Sequence, residues 1–449
     1  MAKLAYLFPA FPVFHQTFVL WEVLGLRRNG VTPTIYSMRR PSARQQPEGQ
    51  EIVGEVVYLP PMWSRAIWRA NGRLLRRGIR AYVQLYADVF AAWQTGAVAP
   101  PRDAEAVTRR VPWANRMRGW FNSHPALYLL KSWWLVPRAA HLAEALAAAG
   151  ITHLHVHWAS YPATLAYVVQ RISGVPFSIS AHAYDIYMVP RMLPAKIRAA
   201  RFVVTCAKTN AGFLRRLAGP ESADKILVSY HGVDVGRFAP PSVERPAGAR
   251  VIIVSCGQLE RYKGMHLLID ACATLRARGV DLECWIIGEG PQRPQLEHQT
   301  AALGLSDRIR LLGARPHAEV AAMYHRADLF VLASELAGKS RRRDVIANVI
   351  VEAMAAELPV VASRIPGIEE LVEEGVSGYL VPPNDVDSLV AAIRTLAGDP
   401  QCRRRCGQAG RRRVLRDFDN HKNVREFAAL LTSVAELTPP MRTAVGEAG

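Results

Sequence analysis

Between residues 250 and 400, short apolar runs alternate with segments of helical period. "RVIIVSC" precedes "MHLLIDACATLRARG", and "LECWIIG", "PQLEHQTAALG", "RIRLLG", "AEVAAMYHRA", "DLFVLAS" and "GYLVPP" follow in order. Apolar runs of this length bounded by turn residues read as buried strands and the periodic segments between them as helices, which predicts a parallel sheet covered on both faces. The front half opens the same way, with "KLAYLF", the helix "TFVLWEVLGLRRNG" closed by Gly30, and the strand "TPTIYSM". It resumes at "THLHVHW", "ATLAYVVQRISG", "FSISAH" and "FVVTCA". The stretch "APPSVERPAGAR" holds three prolines and no period, so it reads as a linker. The pattern predicts two doubly wound, Rossmann-like α/β domains facing across a cleft, with ligands at the C-terminal ends of the strands. The expected boundaries are an N-terminal domain at 1–238, a linker at 239–249, a C-terminal domain at 250–410 and a tail at 411–449. The tail segment "NVREFAALLTSVAEL" predicts a helix that returns to pack on the first domain.

One helical segment carries unusual polar positions. In "DVIANVIVEAMAAELPVVAS", Asp344 and Glu352 stand eight positions apart. Asn348, Val349, Glu352 and Ala356 share one helical side, and Leu358 to Ala362 reads as a short buried strand. Taken alone, Asp344 would cap the helix and Glu352 would be a solvated surface carboxylate.

A second departure is the insert at 62–138, which holds seven of the ten tryptophans and 13 Lys and Arg against three acids. In "MWSRAIWRANGRLLRRGIR", Arg65, Arg69, Arg73, Arg76 and Arg80 recur at steps of four, four, three and four, which aligns them on one side of a helix. Trp63, Ile67, Ala70 and Leu74 fall on a neighbouring side, while Gly72 and Gly78 interrupt the helical pattern. A basic stripe beside a tryptophan-bearing apolar face suits a helix lying in a lipid headgroup layer; the other reading is an ordinary domain helix with solvated arginines.

The chain has 449 residues, half of them hydrophobic, enough for two sizeable cores. Its 56 Lys and Arg against 38 Asp and Glu give a net charge of +18, which favours an anionic partner. No recognised nucleic-acid motif accompanies that charge, so nucleic acid is not the expected partner. The six cysteines are scattered without a CxxC pair, which argues against a disulfide framework or zinc site and fits a reducing cytoplasm. Pro9 and Pro12 break the N-terminal apolar run, which reads as a first buried strand rather than a leader. No apolar stretch reaches the ~18 residues of a spanning helix, so any membrane attachment is expected to be peripheral.

Five segments together carry a resemblance. "GQLERYKGMHLLIDA", "IIGEGPQRPQLE" and the E-x7-E segment from Asp344 to Glu352 resemble the GRLxxxKG, GxGPxxxxLE and EAMAxGxPVVAS landmarks of retaining glycosyltransferase family 4, and "AHAYDIY" and "SYHGVDVGRF" are similar to further landmarks in the same order. The likeness spans nearly all of residues 150 to 400. "FPVFHQTFVLWEVLGLRRNG" also resembles the N-terminal segment of members that build bacterial surface polysaccharides.

The resemblance implies a GT-B fold with an acceptor-side N-terminal domain and a C-terminal domain that binds a nucleotide-sugar. It implies catalytic roles for His182, Lys263 and Asp344, and donor contacts from Gly257, Gln258, Arg261, Lys263, Asn348, Val349 and Glu352. In that scheme Lys263, just before a helix N-terminus, stabilises the departing diphosphate, with Arg261 as a second cation. Glu352 accepts from the ribose hydroxyls and Asp344 holds a sugar hydroxyl, the two separated by roughly 12 Å if all eight positions are helical. His182 contacts the donor sugar or phosphate, and Asp185 orients its loop. No metal and no other cofactor is expected: His153, His155 and His157 are read as structural, and the Asp385/Asp387 and Asp417/Asp419 pairs lie away from the donor segments, the first as a helix cap.

Three positions depart from the family pattern. Gln258 replaces the usual phosphate-binding arginine, while Val345 and Ala347 replace the Gly and Pro of the loop before the helix. Arg341, Arg342 and Arg343 stand nearby as replacement charge. The leading expectation is transfer from a nucleotide-sugar to a lipid-linked or polysaccharide acceptor, by a cytoplasmic protein peripheral on the inner face of the cell membrane. The alternative is a catalytically weakened GT-B protein acting as a binding or assembly partner; an epimerase or phosphorylase of the same architecture ranks third.

Overall fold

The computed structural model describes residues 3–13, 16–41, 47–95, 125–187, 190–240, 250–335 and 346–436. The chain splits into two compact units, the first comprising Met1–Ser229, Gly338–Arg341 and Val424–Gly449 and the second Tyr230–Ala337 and Arg342–Asn423. This division differs from the boundaries read from the linker composition. Residues 230–238 and 411–423 stay with the second unit because they hold one another. Val233 bridges Asp419 in parallel fashion, and Tyr230 packs its ring on Phe418 at 4.6 Å.

The sheet of the first unit contains β1 (Leu4–Phe8), β2 (Thr34–Ser37), β3 (Val57–Tyr58), β4 (His153–His157), β5 (Phe177–Ala181), β6 (Val203–Thr205) and β7 (Ile226–Val228). Their order is β3-β2-β1-β4-β5-β6-β7, parallel throughout, with a switch point between β1 and β4. Every residue of β1, β4 and β5 is buried, as both faces of a parallel sheet require. The last helix, Asn420–Glu436, buries Val424, Phe427, Ala428 and Leu431 against a core that includes Tyr6, Phe8, Val19 and Val23. A side chain at Gly25 would collide with Val424, so the helix Thr17–Arg28 approaches that core through its glycine.

The structure corrects the reading of the basic insert. Ser64 caps the helix Arg65–Arg77, its hydroxyl accepting from the Ile67 N–H at 3.3 Å, and the helix stops at Gly78. Arg80 therefore belongs to the next helix, Ile79–Gln94. Ile67 and Ala70 are buried, Leu74 packs against the core, and Asn71 donates to the Pro137 carbonyl at 3.0 Å. Apart from Trp63, which is exposed, the side expected to meet lipid thus faces the unit's interior. Arg73 pairs with Glu144. The surface instead presents Trp63, Trp68, Leu75, Ile79, Val83, Phe90, Leu130 and Trp134. Residues 96–124 of the insert lie outside the described residues.

In the second unit the strands are β8 (Val251–Cys256), β9 (Leu282–Ile287), β10 (Ile309–Gly313), β11 (Leu329–Leu332), β12 (Val360–Ser363) and β13 (Gly378–Val381). They run parallel in the order β10-β9-β8-β11-β12-β13, with the switch point between β8 and β11. Such a reversal leaves a crevice at the carboxyl ends of the two strands. Asp385 caps the helix Val386–Gly398 by accepting from the Ser388 N–H at 2.9 Å, Asp417 pairs with Arg416, and Asp419 accepts from the His421 N–H. Both DxD pairs have local structural work.

Candidate active site

At the switch point of the second unit the chain leaves β8 through Gly257 to Gly264. Two close backbone approaches hold this loop. The Gly257 and Leu259 N–H groups donate to the carbonyls of Ile287 (3.0 Å) and Glu289 (2.9 Å), and a Cβ at Gly288 would overlap the Gly257 carbonyl. At its far end Gly264 has φ +67°, and a Cβ there would overlap the Ala333 carbonyl just after β11. Only glycine meets both conditions at Gly264. The Glu335 N–H donates to the Tyr262 carbonyl at 2.7 Å, clamping the loop across the switch point. The helix Met265–Ala277 starts immediately afterwards, with its amino end at the same place.

Lys263 lies half-buried in this loop, its stem over Gly257. Arg261 is exposed and lies 3.5 Å from Glu335, which also meets His266 at 3.2 Å. Burial raises the Glu335 carboxyl, but His266 and Arg261 outweigh it and hold the group below its usual range. Arg261 therefore already has an anionic neighbour. Gln258 is exposed.

Glu352 is the fifth residue of the helix Asn348–Ala355 and is 5% exposed, so it is not a solvated surface carboxylate. Burial raises its pKa, opposed by His317, whose Nε2 lies 3.8 Å from its carboxylate, and by Arg237. Burial pushes the Cys256 thiol at the end of β8 up to about 12; Glu352 adds to the rise and Lys263 opposes it. Lys263 lies in the loop after β8 and Glu352 in the helix between β11 and β12, so both belong to elements of the switch point between β8 and β11. Asn348 and Val349 stand half-buried in the first turn of the helix. Asp344, Val345 and Arg341 to Arg343 lie outside the described residues. Because the helix begins at Asn348, the eight positions from Asp344 to Glu352 are not one helical span.

His182 belongs to the first unit, directly after β5, and is buried. Its backbone N–H donates to Asp185 at 2.8 Å, and Asp185 also accepts from the Ala159 N–H. Asp185 therefore ties the loops that follow β4 and β5. Lys196, fully buried, donates to the carbonyls of Ala159 and Ser160, to Tyr128 and to Thr164. Burial raises Asp185 and lowers Lys196, and the mutual attraction of the two groups opposes both shifts. His153 and His155 share Ser178 at 2.8 and 2.7 Å, His155 reaches Ser180 at 2.9 Å, and His157 meets Glu22 at 2.9 Å. Sequence reasoning missed Glu22, Lys196, His317 and Glu335. Glu22 alone left a visible signal, as an acid inside the apolar run "FVLWEVLGL".

Residues 241–413 match the family model of glycosyl transferases group 1. WcaL of Salmonella typhimurium, named as a colanic acid biosynthesis glycosyltransferase, is 36% identical over 225 residues, covering 50% of this chain and 54% of that protein. AmsK of Erwinia amylovora, an amylovoran biosynthesis glycosyltransferase, is 32% identical over 216 residues, covering 47% and 52%. The chain thus spans about half the length of the curated relatives it matches. Among solved structures, Anabaena HepE in complex with UDP-glucose aligns with a TM-score of 0.65 at 18% identity, covering 96% of this chain and 100% of that one. Sucrose-phosphate synthase from Thermosynechococcus elongatus aligns with a TM-score of 0.67 at 18% identity, covering 97% and 100%. These likenesses show the fold, GT-B, built from two Rossmann-like units. On the matched residues 241–413, the chain carries a domain of the group 1 glycosyl transferases.

Proposed function

We propose that this protein is a retaining glycosyltransferase that moves a sugar from a nucleotide-sugar donor to a lipid-linked or polysaccharide acceptor. The observation that carries the reading is that Lys263, in the loop after β8 beside the amino end of the next helix, and the buried Glu352, in the helix between β11 and β12, are both carried by elements of one switch point. A departing nucleoside diphosphate accumulates negative charge, and a cation beside a helix amino terminus stabilises it. Glu352 accepts from the ribose hydroxyls and Asp344 holds a sugar hydroxyl, and His182 is proposed as a further catalytic residue. With Lys263 supplying the positive charge, the transfer is proposed to proceed without a metal. The relatives named for colanic acid and amylovoran biosynthesis support a glycan acceptor. The test is turnover of the purified protein with a panel of nucleotide-sugars in EDTA, with product configuration read by NMR. Release of free nucleoside diphosphate with a retained anomer is expected; no turnover of any donor, turnover restored only by manganese, or an inverted product overturns the reading.

The acceptor side is proposed to dock on the anionic inner face of the cell membrane, through a surface different from the one the sequence suggested. No helix among the described residues is long and apolar enough to cross a membrane. On the helix Arg65–Arg77, Trp68 (64% exposed) and Leu75 lie on the outward side with Arg65, Arg69 and Arg76, and Ile79 and Val83 continue the exposed apolar surface on the next helix. Tryptophan beside arginine suits the headgroup layer, where each basic residue adds about 1 kcal/mol. Flotation with anionic vesicles should capture the wild type at low salt and release it as salt rises. Changing Arg65, Arg69 and Arg76 to Glu should abolish capture. A wild type that stays free of anionic vesicles at low salt removes the docking surface from the proposal.

A further inference from the structure

We infer that Asp185 and Lys196 are positioning residues that hold Trp158 in a strained backbone conformation at the switch point of the first unit. Trp158 directly follows β4, at the reversal of strand order between β1 and β4, where an open parallel sheet leaves a crevice. Its φ is +72°, in the left-handed region, where a bulky side chain is an outlier. Such backbone persists only where its surroundings impose it. Both peptide planes that flank Trp158 are fixed. On the amino side, the Trp158 N–H donates to the Ser180 carbonyl of β5 at 2.8 Å. On the carboxyl side, the Ala159 N–H donates to one oxygen of Asp185, and the other oxygen accepts from the His182 N–H at 2.8 Å. Turning the Trp158–Ala159 peptide out of the left-handed arrangement would break the bond to Asp185.

Lys196 holds the next stretch of the same loop. From the helix Leu193–Ala199 it donates to the carbonyls of Ala159 and Ser160, and to the hydroxyls of Tyr128 at 3.1 Å and Thr164 at 3.3 Å. An ammonium carries three donors and no acceptor, which matches this set of oxygens. Asp185 and Lys196 are both buried, so removing either takes away a partner that water does not readily replace. The Trp158 indole is half-buried, and its centroid lies 5.1 Å from that of the His182 ring at an inclination of 49°. The consequence rests on the reading of His182 as a catalytic residue: one carboxylate ties both loops, so the backbones that carry the indole and the imidazole are fixed relative to each other before a ligand binds.

The test uses the full chain labelled with 5-fluorotryptophan, without donor or acceptor, so that the result is independent of transferase activity. Trp158→Phe identifies the fluorine signal of Trp158. Asp185→Asn keeps the shape of the side chain but turns an amide donor toward one of the two N–H groups, and Lys196→Met keeps the stem and removes the ammonium. Each should move, split or broaden the Trp158 signal while a cooperative melting transition remains. The strain is measured separately by comparing Trp158→Gly with Trp158→Ala. Both lose the indole, but only alanine keeps a Cβ in the left-handed region, so the glycine variant should melt higher by roughly 2–4 °C. An unchanged Trp158 signal in a folded Asp185→Asn or Lys196→Met protein, or an alanine variant that melts above the glycine one, overturns the inference. Should neither Asp185→Asn nor Lys196→Met fold, the order of the glycine and alanine variants alone decides.

Discussion

Lys263→Ala is expected to lower kcat by roughly 10²- to 10³-fold, the range found when one donor to a developing negative charge is removed. The loop makes this expectation specific. Lys263 stands between Arg261 and Gly264, and Gly264 cannot carry a side chain without overlapping the Ala333 carbonyl. The backbone path is therefore set by glycine packing and by the bond from the Glu335 N–H to the Tyr262 carbonyl, not by the lysine side chain. Removing the ammonium should leave the loop in place and take away its charge. Arg261 is a weak substitute, because it is exposed and already lies beside Glu335. Lys263→Arg should recover part of the loss, limited by the broader guanidinium. The variants are compared by steady-state kinetics on the preferred donor together with thermal melting. A loss confined to KM, with kcat unchanged, would show that Lys263 binds ground state and transition state equally and does not stabilise the departing charge.

The sequence made the sheets legible wherever a strand is buried on both faces. "RVIIVSC", "LECWIIG" and "DLFVLAS" became the neighbouring strands β8, β9 and β11, because central parallel strands need apolar side chains at every position. The edge strands β3 and β7 were invisible, since two or three residues with one unpaired side carry no period. The insert helix shows a different limit. Its arginine spacing was readable, but which flank packs inward depends on the helix Val136–Ala148, and that partner lies far along the chain. The site was legible as separate motifs. What the motifs could not convey was burial: Glu352 reads the same as a surface acid or a buried one, and His157 reads the same with or without Glu22 behind it.

Glu352→Gln is expected to weaken binding of the free nucleoside diphosphate by about 10- to 100-fold, the effect of losing charge-assisted hydrogen bonds to paired hydroxyls. The same change is expected to raise the melting temperature of the ligand-free protein at neutral pH. Burial dominates the shift at Glu352 and raises its pKa above the ordinary value of 4.5, despite opposition from His317 and Arg237. An acid whose folded pKa is raised contributes stability that is fully present below its unfolded pKa and is lost as pH rises through the folded value. At neutral pH the wild type holds an ionised carboxylate in a setting that penalises charge, and glutamine of the same shape escapes that penalty. The melting advantage of Glu352→Gln should therefore shrink as pH falls through the raised folded pKa and vanish below about 4.5, where both states of the wild type bind the proton. Calorimetric titration with the nucleoside diphosphate and melting between acidic and neutral pH measure the two effects on one preparation. A variant that binds the diphosphate as tightly as wild type removes Glu352 from the donor site. One that melts below wild type at neutral pH shows instead that His317 and Arg237 more than compensate the buried charge, and that the carboxylate is there to hold the unit together.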